Sequence, residues 1–462
     1  MLNKGTYLVA TIILAKILGP NEFGLIGMIS IFVAIGNSLI DSGLTTSLLR
    51  LKEVSQTDYT TVFFSSILIS LLVYLILYFS ANIIAEFYDQ KILIALIRIY
   101  CLGFIISSLR GVQGVKLIKN LDFKKITKLN IPGNIISTIL AIYMGYNGFG
   151  VWSLVTLFLT NQIISTIVYW VFVRWKPSLN FDFECYKFHI RFGYKLVISS
   201  QLNIIFENIY NILIGKYFSV KMLGLYERAY AFNNYPTSII SGIIQKVSLP
   251  SLTMVKDNNT ELKNVYKNMM LVTFFFSITI LSFLSIIATP LFTLLLGSAW
   301  VEMIPLFRIL TLSFILFPLH SLNVNILSVF GRSDIFLKLE IYKKVLAVFM
   351  VAVGLYFGVM GLVWSNVLLS IFALFLNIHF GSKFINYSSL EQLLDLLPTI
   401  AIVIVTCSIV ILFNIFLKID RNIFIIIYDF IIGLIMLTIL SELFKLTPYI
   451  FIKKTVKEIL FK

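Results

Sequence analysis

Three arginines lie inside long apolar stretches of the sequence, where an unpaired guanidinium costs several kcal/mol. Arg98, Arg228 and Arg308 each lie about six to eight residues into a stretch, roughly 9–12 Å at about 1.5 Å per residue. A planar guanidinium binds phosphate or carboxylate oxygens through two parallel hydrogen bonds. We therefore predict a cationic wall in an internal cavity, suited to a diphosphate or an acidic sugar. The alternative is that these arginines reach the membrane interface or form structural ion pairs.

Other polar side chains also interrupt apolar stretches. Asp41 and Glu207 could titrate during a transport cycle, or could instead neutralise arginines or cap an unwound segment. His320 and Asn323 follow Pro318 halfway along another stretch, where the proline frees a backbone carbonyl. A histidine that is hydrogen-bonded within a helix bundle is the alternative to a proton relay at that position. Prolines in three stretches are predicted to kink helices and act as hinges: Pro132, Pro236 and Pro318.

Motifs for catalysis and for cofactor binding are absent from the sequence. It has no glycine-rich nucleotide loop followed by Lys and Ser or Thr, and no His-Glu-x-x-His helix. The cysteines are far apart, so neither a disulfide framework nor a metal site is indicated: Cys101, Cys185 and Cys407. We therefore expect a protein that is not an enzyme and that uses no cofactor and no metal.

The composition is that of a membrane protein. Of the 462 residues, 59% are hydrophobic and 13% are charged, whereas soluble domains are about 45–50% apolar and about 25% charged. The apolar residues form about fourteen stretches of membrane-crossing length, the first of them short. The expected fold class is therefore an all-α polytopic membrane protein.

The distribution of Lys and Arg predicts the orientation of these spans. The formal net charge is +15, and most Lys and Arg outside the spans lie in alternate loops and in the C-terminal tail, as is typical of cytoplasmic loops. Fourteen spans then place both termini in the cytoplasm. The positive charge is explained by this topology, so a nucleic-acid-binding face is not expected.

Short matches between distant stretches indicate two repeated halves. The stretch 15–25 matches 215–225, with a lysine, a glycine and a leucine at the same relative positions, and 151–153 recurs as 363–365. Six spans thus repeat as six spans in parallel orientation, an arrangement found in transporters. The predicted organisation has four parts: an N-lobe at 1–174, a cytoplasmic interfacial linker at 175–191, a C-lobe at 192–385, and two further spans with a basic tail at 386–462.

A series of short motifs extends over nearly the whole chain. They are AKILGPNEFGL at 15–25, IDSGL at 40–44, LDFK at 121–124, GVWS at 150–153, PLHSLN at 318–323 and GRSD at 331–334. In order and spacing they resemble bacterial Wzx-type polysaccharide flippases of the colanic-acid type, in the MATE-like MOP superfamily. The resemblance implies two six-helix lobes around a central cavity, followed by two extra C-terminal helices.

The resemblance also implies a function and partners. The cargo would be an undecaprenyl-diphosphate-linked oligosaccharide repeat unit, moved by alternating access from the cytoplasmic to the periplasmic leaflet of the inner membrane. The translocated repeat unit would be used to assemble lipopolysaccharide, O-antigen, capsule or exopolysaccharide. Implied partners are membrane lipid, a polysaccharide polymerase and chain-length proteins, but no nucleic acid. Relatives have a longer N-terminus, so the first helix is expected to be short or truncated.

Two alternative functions remain from the sequence. A MATE-type cation-coupled multidrug antiporter shares the superfamily, but such antiporters favour acidic residues in their lobes, where this chain has three arginines. A membrane polymerase or ligase of the same pathway would need a long outward-facing catalytic loop. Every predicted loop on that side is short.

Overall fold

The structure, a computed structural model, describes residues 2–41, 43–417 and 422–460. Within these ranges all regular elements are helices. The first ten are α1 (Leu2–Ile17), α2 (Pro20–Asp41), α3 (Leu44–Arg50), α4 (Gln56–Tyr88), α5 (Ile92–Tyr100), α6 (Leu102–Lys119), α7 (Phe123–Tyr146), α8 (Trp152–Phe172), α9 (Phe183–Glu207) and α10 (Ile209–Tyr217). The others are α11 (Val220–Met254), α12 (Asn259–Ile286), α13 (Ala288–Leu296), a 3-10 turn (Ser298–Trp300), α14 (Met303–Val329), α15 (Ser333–Tyr356), α16 (Gly358–Ser382), α17 (Ser389–Leu417), α18 (Asn422–Leu443) and α19 (Thr447–Leu460).

Helices of membrane-crossing length dominate the chain. Over the described ranges, nine are long and apolar enough to cross a bilayer: α2, α4, α5 with α6, α8, α12, α14, α16, α17 and α18. The apolar part of α1 is shorter, at Gly5–Ile17. Large apolar side chains are exposed along these helices, for example Phe424 and Phe430 on α18, as a lipid-facing surface requires. The predicted all-α polytopic membrane protein is confirmed.

Several predicted spans are broken into two helices. The apolar stretch at 24–49, one of the fourteen predicted to cross the membrane, is divided between α2 and α3, and α3 begins after Gly43, whose φ is 66°. A Cβ at Gly43 would lie 2.5 Å from the Cα of Gly193 in α9. Glycine is therefore required at position 43 both for the left-handed backbone and for the close approach of the backbone of α9. Similar breaks separate α5 from α6 at Cys101 and α9 from α10 at Asn208.

The chain forms two compact units, residues 1–227 and 228–462, with the boundary inside α11. In unit 1, α6 packs against α4 and α8, while α7 packs against α1 and α8. In unit 2, α14 packs against α12 and α16, and α17 packs against α12 and α18. The lobe and linker boundaries predicted from the sequence remain predictions.

An apolar cluster in unit 1 includes Trp175 and Phe63. Trp175 is buried and packs edge-on against Phe63, with ring centroids 5.7 Å apart. Its indole Nε1–H donates to the Gln56 side chain at 2.9 Å. Trp175 therefore fixes the segment before α9 against the start of α4, because its apolar ring and its one polar group both have partners.

The two copies of the repeated glycine contact each other in unit 1. A Cβ at Gly24 would lie 1.9 Å from the backbone oxygen of Val220, and a Cβ at Gly224 would lie 1.8 Å from that of Pro20. The first turns of α2 and α11 thus cross with their backbones touching, as small residues permit between membrane helices.

Candidate functional site

A polar cavity of about 310 Å³ lies among α2, α3, α4, α6 and α8 of unit 1. Its lining is rich in hydroxyl and amide groups and contains one arginine and one aspartate. The lining residues are Asn37, Ile40, Asp41, Thr45, Ser66, Ser107, Ser108, Arg110, Gly111, Gly114, Gln162 and Tyr169. Polar side chains facing the interior of a membrane bundle are costly, so their collection around one cavity indicates a binding site.

Arg110 is the cationic group of this cavity. Its Nη2–H donates to the Gln162 side-chain oxygen at 2.6 Å, and its guanidinium carbon lies 5.7 Å from the centre of the Tyr169 ring. Gln162 is neutral, so this hydrogen bond positions the guanidinium without cancelling its charge. An arginine has five N–H donors, and the bond to Gln162 uses one of them. The arrangement suits an anion with several acceptor oxygens.

Two glycines of α6 make room beside Arg110. A Cβ built at Gly111 or at Gly114 meets no heavy atom within 4 Å. The helix therefore presents open space at both positions. The hydroxyls of Ser107 and Ser108 donate to backbone oxygens of their own helix, at 3.0 and 2.8 Å. The Ser108 hydroxyl also accepts from the Ser70 hydroxyl at 3.1 Å. The lone pairs that remain on both serines can accept hydrogen bonds from a ligand that carries hydroxyl groups.

Of the residues predicted from the sequence, Asp41 lines this cavity, at the end of α2. Arg98 lies elsewhere in unit 1, on α5, with its guanidinium carbon 4.4 Å from the centre of the Tyr78 ring. Glu207 is the exposed last residue of α9. The structure thus brings Asp41 to the cavity and gives Arg98 an aromatic partner outside it.

Arg308 lines a second cavity, of about 580 Å³, among α12, α14 and α17 of unit 2. Its Nε–H donates to the backbone oxygen of Ser285 at 3.2 Å, and its Nη2–H donates to the Thr289 hydroxyl at 3.1 Å. Arg228 is the partly buried first residue of unit 2, on α11. The cationic wall predicted from Arg98, Arg228 and Arg308 remains a prediction.

The polar centre of α14 is hydrogen-bonded to its neighbours. Asn377 Nδ2 donates to His320 Nδ1 at 3.2 Å, so Nε2 bears the proton and donates to the Ser370 hydroxyl at 3.1 Å. Asn323 Oδ1 accepts from the Tyr266 hydroxyl at 2.8 Å. These contacts favour a neutral, interhelical role for His320, the alternative to a proton relay.

The hinge candidates lie inside helices that continue on both sides: Pro132 in α7, Pro236 in α11 and Pro318 in α14.

Sequence reasoning missed Arg110. Arg110 lies at the end of its apolar stretch, close to the lysines of a predicted cytoplasmic loop, so the charge pattern does not single it out, whereas α6 continues to Lys119. The available signal was an arginine followed by two closely spaced glycines, Gly111 and Gly114, near the end of an apolar stretch. Only the packing of α6 against α8 shows that Gln162 and Tyr169 flank it.

A family model described as polysaccharide biosynthesis protein matches residues 13–305. The teichuronic acid biosynthesis protein TuaB of Bacillus subtilis (strain 168) is 26% identical over 305 residues, which are 64% of this chain and 62% of TuaB. The lipopolysaccharide biosynthesis protein WzxC of Escherichia coli (strain K12) is 22% identical over 353 residues, 76% of this chain and 72% of WzxC. The match thus spans less than two thirds of the Bacillus relative.

Two solved structures have a similar fold. The lipid II flippase MurJ, in an inward closed conformation, gives a TM-score of 0.76 at 13% identity, over 96% of this chain and 98% of MurJ. An inward-facing multidrug resistance MATE family transporter of the MOP superfamily gives 0.64 at 16% identity, over 82% of this chain and 94% of the transporter. At these identities the likeness concerns the fold alone. The predicted MATE-like fold is confirmed.

Proposed function

We propose that this chain, which belongs to the family of polysaccharide biosynthesis proteins, translocates lipid-linked oligosaccharide repeat units across the membrane. The cargo would be linked to undecaprenyl diphosphate and would move from the cytoplasmic to the periplasmic leaflet of the inner membrane by alternating access. Relatives named for teichuronic acid and lipopolysaccharide biosynthesis, and the fold shared with a lipid II flippase, support this assignment.

The observation that carries the proposal is Arg110 in the polar cavity of unit 1. A diphosphate offers several anionic oxygens, and a guanidinium binds such oxygens through paired, charge-assisted hydrogen bonds. Gln162 orients Arg110 and leaves its charge available. Besides Arg110, the cavity offers the Asp41 carboxylate and neutral hydrogen-bonding groups, which can bind the hydroxyls of a cargo.

The rest of the cavity fits the sugar next to the diphosphate. The Ser107 and Ser108 hydroxyls can accept hydrogen bonds from sugar hydroxyls, and the Asn37 amide can both accept and donate them. A volume of about 310 Å³ is at the lower end of ligand pockets, which run from about 300 to about 1,000 Å³. The cavity would therefore hold the diphosphate and its first sugar, while the remainder of the repeat unit extends beyond it.

Orientation and partners form part of the same proposal. Both termini would lie in the cytoplasm, because the basic loops and the tail would then be cytoplasmic. A polysaccharide polymerase and chain-length proteins would receive the translocated unit on the other side of the membrane. Asp41 would hydrogen-bond the cargo or balance charge in the cavity when the cargo leaves.

The test is complementation of a strain that lacks the gene. We expect mass spectrometry of its inner-membrane lipids to show accumulation of one undecaprenyl-diphosphate oligosaccharide, which the wild-type gene removes. Arg110→Ala should reduce export about tenfold or more, because a hydrogen bond to a charged group contributes about 1.5–3 kcal/mol. Arg110→Lys keeps the charge but not the paired geometry, and should restore export in part.

Arg332→Ala is the matched control, because Arg332 is an exposed arginine just before α15, and its guanidinium pairs with Asp334 in the first turn of that helix. This variant should export as the wild type does, at equal abundance in the membrane. Wild-type export by Arg110→Ala would contradict the role of the cavity. A deletion strain that accumulates no lipid-linked oligosaccharide but becomes sensitive to cationic drugs would instead favour the multidrug antiporter.

A further inference from the structure

Three potential metal ligands meet outside the polar cavity, at the first turns of α4 and α9. They are Asp58, Cys185 and His189, and their ligand atoms all lie within 4.8 Å of one another. The Cys185 Sγ lies 3.0 Å from Asp58 Oδ1, and the His189 Nε2 lies 3.2 Å from the same oxygen. A carboxylate, a thiol and an imidazole thus converge on one point, although Asp58 is far from the other two in the sequence.

Local structure fixes each of these side chains. Ser55 and Asp58 form a capping box at the start of α4, in which the backbone N–H of Ser55 donates to Asp58 Oδ2 at 2.9 Å. This bond turns Oδ1 towards α9. Cys185 and His189 are four residues apart on α9 and so project from one face of the helix. Asp182 caps that helix by accepting the backbone N–H of Cys185 at 2.9 Å.

The surroundings of His189 resemble those of a metal ligand. Its side chain is fully buried, and its Nδ1 lies 2.7 Å from the Ser47 hydroxyl. Histidines that bind metals nearly always have their second nitrogen hydrogen-bonded, which fixes the ring orientation. The Asp58 side chain is 20% exposed, so an ion can reach the cluster from the surface while the imidazole stays in place.

We propose that Asp58 Oδ1, Cys185 Sγ and His189 Nε2 bind one Zn²⁺ ion, with water in the fourth position. Zinc accepts oxygen, sulfur and nitrogen ligands in tetrahedral geometry at about 2.0–2.3 Å, which separates pairs of ligand atoms by roughly 3.3–3.7 Å. The distances of 3.0 and 3.2 Å to Asp58 Oδ1 need to lengthen by only a few tenths of an ångström. Side-chain rotation in the first turns of two helices provides this.

Zinc binding exchanges hydrogen bonds for metal bonds. Without the ion, the thiol S–H and the imidazole Nε2–H both donate to Asp58 Oδ1, and His189 Nδ1 accepts from the Ser47 hydroxyl. With the ion, the thiol proton leaves to solvent and Cys185 binds as thiolate. The imidazole proton moves to Nδ1 and donates to the Ser47 oxygen, so Nε2 is free to bind the metal.

The site would join the start of α9 to the start of α4. Cys185 and His189 follow the chain that contains Trp175, which already packs on Phe63 of α4. A metal bond between the two helices would hold their first turns together, because both ends of the cross-link are on rigid elements. The proposal concerns this junction only and is independent of the proposed transport activity.

The experiment uses the full chain in detergent, purified through a tag without histidines and stripped with a chelator. After addition of Zn²⁺ and gel filtration, elemental analysis should give about one zinc per chain, and Co²⁺ should produce a thiolate-to-cobalt absorption band. Zinc should also raise the apparent melting temperature. In Cys185→Ser the serine hydroxyl can keep the hydrogen bond to Asp58, so the variant should fold while binding zinc at least tenfold more weakly.

Two further variants complete the test. His189→Gln should also lose zinc, whereas Cys407→Ser, which removes a thiol on α17, should bind as the wild type does. A stripped wild-type chain that takes up no zinc and shows no cobalt–thiolate band would overturn the proposal. Equal zinc content in wild type and Cys185→Ser would overturn it as well, since the metal would then be bound elsewhere.

Discussion

Replacing Gly224 with alanine tests the crossing of the first turns of α2 and α11 in unit 1. The new Cβ would lie 1.8 Å from the backbone oxygen of Pro20 and 2.9 Å from the backbone nitrogen of Gly24. Ordinary van der Waals contact begins at 3.4 Å, so the two backbones must separate by about 1.6 Å, the difference between 3.4 and 1.8 Å. Backbone atoms have no alternative rotamer, so the helices themselves must move.

The cost follows from two opposing effects. Overpacking costs about 1–3 kcal/mol, and a crossing of two backbones is at the upper end. Replacing glycine with alanine in a helix stabilises the folded state by about 0.5–1 kcal/mol. The net loss is therefore about 2 kcal/mol. For a unit of this size, each kcal/mol lowers the melting temperature by about 2–4 °C, which gives a fall of about 4–8 °C.

The assay is thermal unfolding in detergent, followed by tryptophan fluorescence. Gly242→Ala is the control on the same helix, because a Cβ there meets no heavy atom within 4 Å. It should leave the melting temperature unchanged or raise it slightly. Gly24→Ala should resemble Gly224→Ala, since its Cβ would lie 1.9 Å from the backbone oxygen of Val220. The melting temperature of the double variant should fall by less than the sum of the two single decreases, because the first methyl group already separates the helices. An unchanged melting temperature in Gly224→Ala would refute the reasoning.

Two more predictions concern the cavity and unit 2. Gly111→Leu should fill the space beside Arg110 and abolish export of the lipid-linked oligosaccharide at normal abundance, whereas Gly111→Ala should retain most export, as measured by the complementation assay. Burial, and then the hydrogen bond to Asp395, raise the pKa of Tyr387. The folded state should therefore lose stability as the pH rises above about 10, where the unfolded tyrosine ionises. Melting curves across that range should show less alkaline loss in Tyr387→Phe, and equal loss would contradict the assignment.

The sequence predicted the helical membrane fold well, because apolar length alone determines which segments can cross a bilayer. An unwound segment at Asp41 or Glu207 was one of the alternatives, and α2 and α9 end at these residues, whereas the break at Cys101 was not predicted. Gly43 was visible as a glycine, but the need for it arises from the approach of Gly193, which is distant in the sequence. Neither Cys101 nor Asn208 is a proline or a glycine, and Gly103 lies inside α6, so the sequence marks those breaks only weakly. The family resemblance, which depends on motif order, is confirmed by the match over residues 13–305.

Ligand groups were harder to predict, because they are assembled from separate helices. In the sequence, Arg110 resembles the loop cations that follow it. The structure shows that Gln162 and Tyr169 of α8 lie beside it. Cys185 was judged by its distance from the other cysteines, a test that detects only sites built from cysteine pairs. Its spacing of four residues from His189 is compatible with a shared ligand, but such pairs are common on helices. The fold supplies the third group, Asp58, from α4.

The partners of each intramembrane polar group distinguish packing from binding. Asn323 has both of its functional groups bonded, with Oδ1 accepting from Tyr266 and Nδ2 donating to the backbone oxygen of Leu319. Both ring nitrogens of His320 have neutral partners on α16. Such saturation explains how these residues are tolerated in a membrane without any ligand. Arg110 differs, because one neutral amide cannot satisfy five donors and a full charge next to open space. A bound anion would offset the energetic cost of keeping that charge inside the bundle, as the proposed binding of a diphosphate by Arg110 requires.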